Sequence, residues 1–119
     1  MIVGHAQETQ ELNEYEMEIA NKLIPALRNR TKETAIKAPE IVKAVNDKWK
    51  PVPKFSEVRL RRIINYYRTN SILPVISTSN GYYVSYEEED INLMTQSLTQ
   101  RANSILSCAF GMQRMKKII

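Results

Sequence analysis

Apolar residues along most of this chain fall at helical spacing. Met17, Ala20, Leu23, Ile24 and Leu27 recur every three or four positions, and Asn13 with Glu16 forms an N-x-x-E capping arrangement ahead of them. A first helix is expected over about 14–29, with Pro25 removing one backbone bond and bending its last turns. Ile41, Val42 and Val45 give a second helix its buried stripe. Pro39 suits its first position, where a missing N–H costs nothing, and Pro51 and Pro53 stop it near Lys48 or Trp49. Ser56 caps a third helix over 56–70, with Phe55 and Leu60 as a hydrophobic staple. Leu60, Ile63, Ile64 and Tyr67 face inward. Glu57, Arg61, Arg62, Asn65 and Thr69 face outward, with Arg59 and Arg68 on the flanks.

The period then changes. In "ISTSNGYYVSY", residues 76–86, Asn80-Gly81 separates two β-prone runs, which is a hairpin signal because both central residues of such a turn need positive φ. A two-residue loop there pairs Ser79 with Tyr82 and Val75 with Tyr86. It sets Val75, Tyr82, Val84 and Tyr86 on one face and Ile76, Thr78, Tyr83 and Ser85 on the other. A two-stranded hairpin alone is barely stable, and a short strand at 34–36 is the candidate third member. Residues 1–11 read as a flexible, polar N-terminus. Residues 87–119 read as one long helix, opening on Glu87, Glu88, Glu89 and Asp90 and closing on Arg114, Lys116 and Lys117, in keeping with the helix dipole. Ile91, Leu98, Ile105, Met112 and Ile119 repeat every seven residues along it. Such a helix is about 45 Å long, longer than the roughly 30 Å expected for a domain of this size. Either Ile91, Leu98, Ile105 and Met112 pair it with a second copy in a homodimer, or it packs back over the first helix. The expected fold is mainly α with a small β-hairpin: a domain over 12–86, a long C-terminal helix over 87–119, and the element order of a winged helix-turn-helix.

Charge adds a location. The formal net charge is +4, and the stretches 1–50 and 87–119 are each balanced. The whole excess lies in 51–86, where Lys54, Arg59, Arg61, Arg62 and Arg68 face only Glu57. A local basic excess is the footprint of a polyanion partner, or else a solvated helix face. The remaining chemistry is sparse. With one cysteine, Cys108, and one histidine, His5, a disulfide within the chain and a zinc site built from cysteine and histidine are excluded. Cys108 reads as a free, buried thiol. The three glycines spell no phosphate-binding loop. No acid, base and nucleophile converge, so neither an enzyme, nor a cofactor, nor a metal is expected. No apolar run approaches the roughly 20 residues that span a bilayer, and the first ten residues lack signal-peptide character. A cytoplasmic protein, with no membrane partner, is expected.

Four segments, "LNEYEMEIANKLIPAL", "VRLRRIINYYR", "PVISTSNGYYVS" and "SLTQRANSI", together resemble a group of small phage and prophage winged-helix proteins. The resemblance covers roughly residues 12–105. It implies a phage-type DNA-binding protein in replication or transcription regulation, with Arg59 and Ile63 in the recognition helix and Ser77, Gly81 and Tyr82 in the wing. One departure is the connector "KWKPVPKFSEV", longer than the 3–4 turn residues of a tight helix-turn-helix.

In this reading the third helix enters a major groove about 12 Å wide, with Arg61, Arg62 and Asn65 toward base edges. Lys54, Arg59, Arg68, Ser77 and Thr78 hold phosphates, and Asn80 at the wing tip meets the adjacent backbone or minor groove. Four to six phosphate contacts give a log–log salt slope of about −4 to −5. Three alternatives stand beside it. Arg59 or Arg68 pairs with a carboxylate of the first helix or of 87–90. Tyr66 and Tyr67 belong to the core. The chain is a protein-docking adaptor in a replication or regulatory complex that does not touch DNA.

Overall fold

The computed structural model describes residues 11–116. His5, Lys117, Ile119 and nearly all of the expected N-terminal tail lie outside that range. Helix α1 spans Glu14–Arg28 and starts at the expected capping box: the Asn13 side chain accepts from the Glu16 N–H at 2.7 Å, and the Glu16 carboxylate accepts from the Asn13 N–H at 3.1 Å. The helix runs through Pro25, which stands exposed. A short 3-10 turn, Lys32–Thr34, follows. The expected strand at 34–36 shrinks to one residue. Ile36 bridges Tyr82 through two backbone bonds of 2.9 and 2.8 Å, and the Arg30 carbonyl accepts from the Val84 N–H at 3.2 Å.

Helix α2 (Ala38–Trp49) carries Pro39 in its first turn and ends where Lys50 adopts the left-handed conformation, φ 45°. Helix α3 (Glu57–Thr69) is capped by Ser56, whose hydroxyl accepts from the Arg59 N–H. Phe55 and Leu60 are both buried, as a staple requires. The end of the long connector between α2 and α3 is clamped by the Asn46 side chain. The Asn46 amide donates to the Phe55 carbonyl at 3.1 Å and accepts from the Phe55 N–H at 2.9 Å. Asn46→Ala leaves both backbone groups of Phe55 without these partners and should cost about 2 kcal/mol, read as a lower urea midpoint.

Strands β1 (Val75–Thr78) and β2 (Gly81–Val84) form the hairpin, followed by α4 (Glu88–Arg114). The register pairs Val75 with Val84, Ile76 with Tyr83, Ser77 with Tyr82 and Thr78 with Gly81. The expected pairing is displaced by two positions, with Ser79 and Asn80 at the turn. Asn80 does not take positive φ; Gly81 does, at 120°. Because the side-chain period is two, a shift of two leaves the paired residues on their expected faces, while Ser85 and Tyr86 fall beyond the ladder. Val75 and Val84 join the core, and Ile76 and Tyr83 on the opposite face are buried as well. Tyr83 is therefore inward and Tyr82 half-buried, while Tyr86 is exposed.

The core gathers Ile19, Ala20, Leu23 and Leu27 of α1, Ile41 and Val45 of α2, and Leu60, Ile63, Ile64 and Tyr67 of α3 under the hairpin. Tyr67 is a core residue, as one alternative held. Its hydroxyl donates to the Ala20 carbonyl, tying α3 to α1. Burial pushes that hydroxyl far above the usual tyrosine range, so it stays a donor. The chain divides into two compact units between Tyr86 and Glu87. Cys108 is exposed rather than buried.

Candidate nucleic-acid interface

The faces of α3 decide which of its cations can meet a partner. Leu60, Ile63, Ile64 and Tyr67 fill the core, so the stripe Val58, Arg61, Asn65 and Thr69, at three- and four-residue steps, is left exposed. Arg61 and Asn65 thus stand in solvent, as expected, and so does Lys54 ahead of the cap.

Arg59 and Arg62 are engaged elsewhere. Both reach Glu16 of α1, whose carboxylate is only 2% exposed: Arg59 Nη1 lies 3.2 Å from Oε2 and Arg62 Nη2 lies 3.3 Å from Oε1. With the Asn13 N–H, this carboxylate accepts three donors. The Arg59 guanidinium also lies 4.9 Å from the Tyr15 ring centre, a cation–π distance. Burial pushes the Tyr15 hydroxyl upward, and the neighbouring Arg59 pulls it down. Arg62, placed at base edges by its helical position, is turned toward α1 by Glu16. Arg59, placed at a phosphate, has the carboxylate partner in the first helix that the alternative named. Two cations share one buried anion, and about one unit of positive charge remains.

Arg68 also has a structural task. Its Nε–H donates to the Val75 carbonyl at 3.0 Å, and Nη2 reaches the Ser77 hydroxyl at 3.3 Å. These contacts lace α3 to the first strand of the hairpin. Thr78 is absorbed by the turn, where its hydroxyl accepts from the Asn80 N–H and donates to the Gly81 carbonyl, both at 3.2 Å. Asn80 remains exposed at the tip.

One cation enters that sequence reasoning missed. A shallow polar cleft of about 250 Å³ is lined by Lys37, Ser77, Thr78 and Ser79 together with Gly81 and Tyr82. Lys37 stands 40 positions before Ser77 and arrives there because the Ile36–Tyr82 bridge carries it to the hairpin. The faint sequence signal was the short β-prone segment ahead of Pro39. A lysine at the N-cap of α2, in a cleft with Ser77, Thr78 and Ser79, has the chemistry of a phosphate seat.

Among the described residues, no group of three or more histidine, cysteine, aspartate or glutamate side chains is placed to hold a metal ion, and no helix is long and apolar enough to cross a membrane. No protein-family model, curated protein or solved structure matches the chain.

Proposed function

We propose that the chain is a winged-helix protein that binds duplex DNA, in a phage-type replication or transcription role, with α3 in the major groove and the hairpin as the wing. It acts by binding and not by catalysis. The observation that carries the reading is the exposed Arg61–Asn65 stripe on a helix whose other face is core. Arg61 suits guanine and Asn65 adenine. Support for the wing comes from the third-strand bridge at Ile36 and the Arg68 clasp, which fix the hairpin against the body. Phosphate contacts fall to Lys37, Lys54, Arg68 at the strand edge and Asn80. With half of the Arg59 and Arg62 charge offset by Glu16, the salt slope is reduced to about −3 to −4. The partners in this reading are duplex DNA and, through α4, a second copy of the chain.

Fluorescence anisotropy tests it. On a duplex selected from a random pool, Arg61→Ala with Asn65→Ala should weaken binding about thirtyfold or more, since each bidentate base contact contributes about 1–3 kcal/mol and two are lost. Lys37→Ala with Lys54→Ala should weaken all duplexes alike and flatten the salt slope by about 2. A parent chain that ignores duplex, or a folded Arg61/Asn65 variant that binds as the parent does, overturns the reading. A protein-docking adaptor is then favoured, on one observation: Leu93, Ile105, Leu106, Phe110 and Met112 of α4 are all exposed.

A further inference from the structure

Helix α4 has 27 residues and is about 40 Å long. Every residue from 101 to 110 is exposed, including Ile105 at 55% and Phe110 at 60%, and Met112 follows at 67%. Seven residues are close to two full turns, so Ile91, Leu98, Ile105 and Met112 lie on one slowly drifting stripe. Ala102 and Ala109 lie one turn beyond Leu98 and Ile105, and their small side chains let a neighbouring helix axis come close.

The ends of the helix identify what covers that stripe. Glu88 and Glu89 stand in the first turn, Arg114 closes the last, and Lys116 follows two residues past the helix end. Two copies side by side in parallel would set acid against acid at one end and base against base at the other. Two copies in antiparallel bring the Glu88–Glu89 end of each level with the Arg114 end of the other. The same overlap centres on the bond between Arg101 and Ala102. It brings Ile91 level with Met112 of the second copy and Leu98 level with Ile105, so the apolar stripe matches itself at every step.

We infer that α4 pairs with a second copy of itself in antiparallel, through the Ile91–Leu98–Ile105–Met112 stripe with acidic and basic ends crossed. This rests on the self-association part of the proposed function and is independent of DNA binding. The orientation has a geometric consequence for the only cysteine. In the antiparallel pair the two Cys108 positions are 13 residues apart along the axis, about 20 Å. In a parallel pair they are level, about 8–10 Å between axes.

The experiment uses the full chain. Sedimentation across a wide concentration range should show a dimer, and nitroxides on Cys108 should give a separation of about 20 Å between backbone positions. Glu88→Lys with Glu89→Lys should weaken association about tenfold, and adding Arg114→Glu with Lys116→Glu in the same chain should restore it. Circular dichroism confirms that the helix persists in each variant. A chain that stays monomeric overturns self-association, and with it the inference. A dimer that readily forms a Cys108–Cys108 disulfide, or whose association ignores the charge swap, overturns the antiparallel arrangement alone.

Discussion

Gly81→Ala should unfold much of the hairpin and cost about 3–4 kcal/mol. Two causes act at one position. Gly81 has φ 120°, a conformation that any side chain resists. A Cβ there would also lie 2.4 Å from both the carbonyl carbon and oxygen of Ile36 and 2.7 Å from the Lys37 nitrogen. Those are backbone atoms, so no flexible side chain can swing aside. Relief requires separating Tyr82 from Ile36, which breaks both bridge bonds. Thermal denaturation followed by circular dichroism measures the loss. Amide exchange should show the Tyr82 N–H losing protection first. Ser79→Ala, at the adjacent turn, should change stability by under about 0.5 kcal/mol and serves as the control.

Glu16→Ala should cost about 3 kcal/mol. The carboxylate is 2% exposed and accepts from Arg59, Arg62 and the Asn13 N–H. Its removal leaves two half-buried guanidinium groups without their anion and opens half of the capping box. Breaking a buried pair costs about 3–5 kcal/mol where the remaining charge stays trapped. Here Arg59 and Arg62 are 27% and 30% exposed and can turn to water, which places the effect at the lower end. Glu16→Gln keeps the shape and some hydrogen bonds and should cost less. Equilibrium unfolding in urea checks the order Ala, Gln, parent. The freed arginines make a second signature: at equal folding, Glu16→Gln should bind duplex more tightly than the parent and with a steeper salt slope. Unchanged stability in Glu16→Ala would remove the carboxylate from its assigned place at the centre of this network.

Local signals were legible because their causes are local. The Asn13–Glu16 box, Pro39 at the start of α2, the Phe55–Leu60 staple and the inward face of α3 each depend on residues within one or two turns. The hairpin was legible as a hairpin, but its register was not. Asn-Gly favours a turn centred on those two residues, whereas here the glycine is needed one place later, against the Ile36 backbone. That contact joins positions 45 apart and leaves no trace in the turn sequence. The role of Glu16 was half legible. Its capping partner is three residues away, but its arginines are 43 and 46 residues away. One clue was in plain view: Glu16 falls on the same helical stripe as Ile19, Ala20, Leu23 and Leu27. An acid inside an apolar stripe requires a cation from another element, and α3 is the richest source. The assignment of Arg62 to base edges followed helical position alone, and position does not register a competing anion. Asn46 gave no sequence signal at all, because an amide that clamps a distant backbone looks like any surface asparagine.

The lacing of the hairpin bears on how selective such a surface would be. Arg68 grips β1, while Arg30 and Ile36 grip β2, so ribbon and helix are set at one spacing before any ligand arrives. A duplex that touched both would find a caliper with fixed jaws. Little ordering entropy would be lost on closing, and sequences able to flex to the gauge of those jaws would be favoured over stiffer ones, even at base pairs no side chain reaches.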